Sequence, residues 1–270
     1  MSTNNGQRPM PYVIALSHQK GGVAKTTTAL TLGACLVEQH CETLLLDLDS
    51  QANLTAGLGV NPAEVRRSAA DVLLGNETLL RVSRETGVPG LDLVPSNSDM
   101  LTVSKYLYLR EPYEYVLREA LRQPDLAHYE VVLIDCPPTL GPVTLNALTA
   151  ADLVIVPTQC EYFSVQALDS PFRLINLVRA KTNPRLAFRL LVTMFDQRGT
   201  LHTRVLALLR ERFGETILNS VIGFDSKLRE SQLLGRPMTV HAPQSRATYQ
   251  YRQLAEELLT YVRRPVLQTA

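Results

Sequence analysis

The chain has 270 residues, a net charge of +1, 45% hydrophobic and 20% charged residues. That length can bury a full core, and so ordinary a composition excludes a fibrous or low-complexity chain. The four cysteines (Cys35, Cys41, Cys136, Cys160) form no C-x-x-C pair, which argues against a disulfide framework or a zinc site. No apolar run approaches a membrane span, so the expectation is a cytoplasmic protein with reduced thiols.

In chain order, residues 1–11 are polar and are expected to form a flexible tail. Tyr12–Leu16 is a short apolar strand. Ser17-His18-Gln19-Lys20-Gly21-Gly22-Val23-Ala24-Lys25-Thr26-Thr27-Thr28 follows it, and a helix is expected over Thr26–Gln39, with Ala29, Leu32, Leu36 and Val37 as its apolar positions. Strand, glycine-bearing loop, Lys-Thr and helix is the layout of a phosphate-binding loop, whose backbone N–H groups favour polyphosphate. Lys25 would reach the β- and γ-phosphates and Thr26 would place a hydroxyl on Mg²⁺. The strict pattern G-x-x-x-x-G-K-[ST] is not met, because His18 and Ala24 stand at its two glycines.

Thr43–Asp49 is an apolar run ending in two carboxylates, Asp47 and Asp49, and Ser50–Gly59 reads as a loop and short helix. Residues 60–123 are less legible: a helix end at Asp71–Gly75, a strand at Leu91–Pro95, and helices over Asp99–Leu109 and Tyr113–Arg122. Tyr106, Tyr108 and Tyr113 cluster there, with packing as their default role. Tyr129–Asp135, Leu153–Pro157, Leu186–Met194 and Ile217–Ile222 read as strands. Helices are expected around Leu145–Ala150, Phe163–Ala180, Leu201–Phe213, Ser226–Leu234 and Ser245–Val262. Strands alternating with helices imply right-handed crossovers and a mainly parallel twisted sheet with helices on both faces. The expectation is one α/β domain of P-loop NTPase fold over residues 12–264, with a short tail at 265–270.

Val131–Asp135 followed by Cys136-Pro137-Pro138 places a carboxylate where a P-loop protein holds Mg²⁺. Thr26, Asp49 and Asp135 are therefore the candidate metal residues. Asp47 is expected to support Mg²⁺ or its waters. Residues 185–270 carry thirteen Lys and Arg against seven Asp and Glu, a balance compatible with a phosphate-backbone footprint and equally with a solvated arginine-rich face.

The Lys20-Gly21-Gly22-Val23-Ala24-Lys25-Thr26-Thr27 loop, the Asp47-x-Asp49-x-Gln51 segment and the Asp135-Cys136-Pro137-Pro138 strand end together resemble the ParA/Soj partition ATPases of the ParA–MinD superfamily, with their deviant Walker A loop. The resemblance spans residues 12–262. It implies ATP and Mg²⁺ as cofactors, the 20–27 loop as nucleotide contact, and Lys20, Lys25 and Asp49 as catalytic residues. In such proteins the lysine at Lys20 reaches across a two-fold axis to the partner's ATP, and the second aspartate, here Asp49, orients the attacking water. The resemblance further implies an ATP-bound homodimer, with Glu161 facing the partner's nucleotide and Pro243 beside the adenine. Arg198 and Lys227 match positions that bind double-stranded DNA non-specifically, and hydrolysis would be stimulated by a ParB-like protein on the nucleoid. Two departures stand out. Ala24 replaces the usual glycine, so its backbone should be one that alanine adopts, and Gly223 replaces a proline, which should loosen that loop.

Three alternatives share the motif set. A MinD-like membrane-surface ATPase would need a basic amphipathic C-terminal helix, which Pro265 interrupts. A metal-cluster carrier would need bridging cysteine pairs. A positioner of a protein cargo would carry the same ATPase.

Overall fold

The computed structural model describes residues 10–161 and 168–263. Residues 1–9, most of the expected N-terminal tail, lie outside these, as do 265–270 and the start of the helix expected from Phe163. The first half runs β1 (Tyr12–Leu16), α1 (Lys25–Glu38), β2 (Thr43–Asp47), α2 (Asn53–Gly57), α3 (Ala69–Leu74), α4 (Leu79–Val82), β3 (Arg84–Glu85), β4 (Leu91–Val94), α5 (Met100–Leu107) and α6 (Val116–Leu121). The second runs β5 (Val131–Asp135), α7 (Pro142–Ala150), β6 (Leu153–Gln159), α8 (Asp169–Lys181), β7 (Ala187–Phe195) and α9 (Thr200–Phe213). It ends with β8 (Ile217–Gly223), α10 (Lys227–Leu233), α11 (Met238–His241) and α12 (Arg246–Val262). The α/β alternation matches expectation; α4, α11 and the edge strand β3 are additions too short to carry a period.

The strands form one eight-stranded sheet in the order β3-β4-β2-β5-β1-β6-β7-β8. All neighbours are parallel except β3 and β4. Every residue of β1, β2 and β5 is buried, as continuous apolar strands under two helical layers should be. Alternation divides their side chains. Ile14, Leu16, Leu45 and Leu133 pack with α1 and α12, while Val13, Leu44, Leu46 and Ile134 pack under the helices of the opposite face. Helix α1 is buried along most of its length because α12 covers its outer side, and a Thr28–Tyr251 hydroxyl hydrogen bond of 3.0 Å joins the two.

The β1–α1–β2 crossover goes to one side of β1, while β6, β7 and β8 extend the sheet to the other. The chain direction thus switches beside β1, and in an open parallel sheet the crevice at the strands' C-terminal ends there takes ligand. At the far edge, Glu257 of α12 accepts hydrogen bonds from the β8 amides of Asn219 (2.8 Å) and Ser220 (2.9 Å), and from the Ser220 hydroxyl (2.7 Å).

Candidate active site

The loop leaves β1 at Leu16 and enters α1 through Ala24, whose backbone is left-handed (φ 64°, ψ 32°). This corrects the expectation that the loop would suit alanine: a Cβ in this region costs about 1–2 kcal/mol. No side chain caps α1 and no acid occupies its first turn, so its leading N–H groups stay available to an anion. Gly21 and Gly22 are exposed, and a Cβ on either would meet nothing within 4 Å, which leaves the cradle open. Val23 is buried, and its carbonyl accepts a 3.0 Å hydrogen bond from the Thr193 hydroxyl of β7. His18 is 2% exposed, and its Nδ1 accepts the Lys20 amide at 2.8 Å. Burial first, then Lys25 and Lys20, push the His18 pKa down to about 4, so the ring is neutral and serves as an acceptor.

The two lysines of the loop part company. Lys25 is buried at the helix start, within electrostatic reach of Asp135. Lys20 lies on the rim, where its Nζ donates to Gln159 Oε1 at 2.9 Å and to Glu161 Oε2 at 2.7 Å. Gln159 also donates from Nε2 to the Gly22 carbonyl at 3.0 Å, so this β6 residue holds both loop and lysine.

The acids meet at adjacent strand ends, with Asp47 of β2 in register with Asp135 of β5. Asp135 is buried; its Oδ2 accepts from the Thr26 hydroxyl at 2.6 Å, while its Oδ1 is buried with no hydrogen-bond partner. Burial and then Asp47 raise its pKa, opposed by Thr26 and Lys25. An orphaned carboxylate oxygen beside a hydroxyl and a half-buried carboxylate, Asp49, is a hard oxygen donor set that fits Mg²⁺.

Asp47 is engaged by the chain itself. Its Oδ2 accepts from the Thr55 amide (2.9 Å) and hydroxyl (2.7 Å), and its Oδ1 from the Asp49 amide (3.1 Å). The Thr55 hydroxyl in turn accepts the Ser96 amide at 2.9 Å. Asp47 is thus a buried anchor that shapes the 49–55 turn, through Ala52 at φ 49°. Asp49 accepts the Gln51 amide at 3.0 Å through Oδ1.

Pro243 is exposed in the turn before α12, and its carbonyl accepts from Arg252 Nη1 at 2.7 Å. Arg252 also forks onto Glu38 at the end of α1. The candidate DNA residues follow the neighbouring ends of β7 and β8, which pair at Phe195 and Gly223. Arg198 is 95% exposed and Lys227 is exposed at the start of α10. The expected loosening at Gly223 does not occur: its N–H, which proline would lack, donates to Gln250 Oε1 at 2.9 Å, and Arg246 holds the Phe224 carbonyl at 2.8 Å. Tyr108 packs edge-on against Tyr113 at 5.0 Å, away from these strand ends.

A groove of about 500 Å³ opens elsewhere, between Val72, Arg110, Tyr115 and Glu119. It contains none of the candidate residues, and the convergent donors, lysine and carboxylates mark the strand ends as the reactive site. His18, Thr55 and Gln232, whose Nε2 donates to the Thr27 hydroxyl, are residues at the site that sequence reasoning gave no role. Only His18 carried a signal, by standing at a motif glycine.

Strand, uncapped helix, buried lysine and paired carboxylates define an AAA-type ATP-binding domain, and a family model described as an AAA domain matches residues 11–188. The chromosome partitioning protein ParA of Caulobacter vibrioides is 37% identical over 92% of this chain and 94% of its own. The sporulation initiation inhibitor protein Soj of Bacillus subtilis is 35% identical over 92% and 98%. The chain belongs to the ParA/Soj family of partition ATPases. Among solved structures, cobyrinic acid a,c-diamide synthase from Mycobacterium smegmatis, bound to an ATP analog and magnesium, has a TM-score of 0.82 at 37% identity, covering 93% and 95% of the two chains. A Borrelia burgdorferi plasmid partition protein bound to AMPPNP shares the fold at a TM-score of 0.76 and 23% identity, covering 93% and 99%. Among the described residues, no helix is long and apolar enough to cross a membrane.

Proposed function

We propose that this chain is an ATP-driven DNA-segregation switch. Lys25, Thr27 and the loop amides hold the triphosphate, and Thr26, Asp49 and Asp135 hold Mg²⁺. The ion neutralises charge on the β- and γ-phosphates when bound. Asp49 orients water for attack on the γ-phosphate, and Lys20 stabilises the developing charge on a partner subunit's nucleotide, as a cation supplied in trans does in other phosphoryl transfers. The resulting homodimer binds double-stranded DNA through Arg198 and Lys227 without sequence preference. A ParB-like protein stimulates hydrolysis and release.

The observation that carries this reading is the separation of the two lysines. One is buried at the phosphate end of the loop, and the other is on the outer rim, where a second subunit has access. The diamide synthase activity named for the M. smegmatis protein is a less favoured reading. All four cysteines are buried and their thiol pKa values are raised, chiefly by burial, so none offers a thiolate nucleophile to release ammonia.

Co-sedimentation with non-specific DNA, with ATP, ADP or no nucleotide at two salt concentrations, tests the proposal. ATP-only binding that weakens with salt supports it, each phosphate contact adding about 0.9 to the slope of log K against log salt. Binding indifferent to nucleotide, or none, redirects the reading to a protein cargo or a membrane surface.

A further inference from the structure

Helix α10 begins at Lys227 and ends against the phosphate loop. Gln232, near its C-terminal end, donates from Nε2 to the Thr27 hydroxyl at 2.9 Å. The approach is built in by the backbone. A Cβ on Gly235, just past the helix (φ 61°), would lie 2.7 Å from the Gly59 Cα, so only glycine lets this turn seat against the end of α2.

The consequence lies in the hydrogens. A threonine hydroxyl has one hydrogen to donate and two lone pairs, and an amide nitrogen can only donate. With a lone pair committed to Gln232, the Thr27 hydrogen points elsewhere. Among the described residues that hydroxyl donates to none; the Val23 carbonyl one turn back, which a helical threonine often uses, is bonded by Thr193 instead. Thr27 stands in the first turn of α1, the helix into which the open Gly21–Gly22 loop leads.

We propose that Gln232 is a positioning residue for nucleotide binding, which fixes the Thr27 hydroxyl as a donor to a phosphate oxygen. The proposal rests on the reading of Thr27 as a nucleotide contact.

The test is a double-mutant cycle on MgADP affinity by calorimetry, with Gln232→Leu, Gln232→Glu and Thr27→Val. Gln232→Leu weakens MgADP about fivefold, within the range of one hydrogen bond. Gln232→Glu, nearly isosteric but acceptor-only, draws the Thr27 hydrogen to itself and weakens binding more than leucine does. In the Thr27→Val background the Gln232→Leu effect disappears, whereas a merely structural role leaves it intact.

If Thr27→Val weakens MgADP but neither Gln232 variant does, the positioning role is overturned and the nucleotide reading of Thr27 stands. If Thr27→Val itself has no effect, that reading fails and the proposal with it. Should the leucine variant not fold, Gln232→Glu completes the cycle alone, and additive effects with Thr27→Val overturn the proposal.

Discussion

Lys20 Nζ lies 2.7 Å from Glu161 Oε2 within the same chain. The lysine assigned to a partner's nucleotide is therefore held at home in the single subunit, by the residue expected to face that nucleotide. The pair is half-open to solvent (36% and 53% exposed), so its contribution to folding is small, about 0–1 kcal/mol. Lys20→Ala should leave the thermal midpoint nearly unchanged while abolishing ATP turnover. A large loss of stability would make Lys20 a structural residue.

The two aspartates should separate by phenotype. Asp49 is half-buried with a single amide partner, and Asp49→Ala should halt turnover while leaving the fold intact and the ATP-bound dimer on DNA. Thr55→Val leaves a buried Asp47 oxygen and the Ser96 amide each one bond short, and should destabilise by about 1–3 kcal/mol in urea unfolding. If both variants unfold alike, Asp49 is not the separable catalytic group.

Ala24 offers a gain. Ala24→Gly relieves the left-handed Cβ at some cost in chain entropy, for a net stabilisation of about 0.5–1 kcal/mol. A raised midpoint with preserved MgADP affinity is expected. A lowered midpoint would mean that the Cβ makes contacts worth more than the strain.

His18 predicts a pH dependence. The unfolded imidazole titrates near 6.5 and the folded one near 4, so protons bind the unfolded chain first. The contribution of neutral His18 is complete above about pH 6.5 and is lost as pH falls toward 4, by up to about 1.4 kcal/mol per unit. His18→Asn retains an acceptor for the Lys20 amide without titrating. Its unfolding midpoint should fall less than that of the parent between pH 7 and 5. Parallel profiles would remove His18 from the account.

What the sequence made legible was whatever repeats or punctuates. Apolar runs ending in Asp47 and Asp135 declared buried parallel strands, and Gly-Gly between lysines declared the loop. The anchoring of Asp47 by Thr55, itself held by the Ser96 amide, was not legible because those residues reach it only after the chain turns back. The same holds for Gln159 and Gln232, whose contacts lie 137 and 205 residues away. At Ala24 the departure from family habit was read as an unstrained backbone, and at Gly223 as a loosened loop. The fold instead accepts a backbone cost at one and uses the freed N–H at the other.

Glu257 extends the story to the outside of the sheet. A terminal parallel strand presents unpaired amides, an invitation for a strand of another molecule to add on. Because the Glu257 carboxylate already occupies the Asn219 and Ser220 amides of β8, that invitation is withdrawn. In a protein whose proposed task would crowd many copies along one polymer, this single side chain takes up two of the amides that an edge-to-edge neighbour would use.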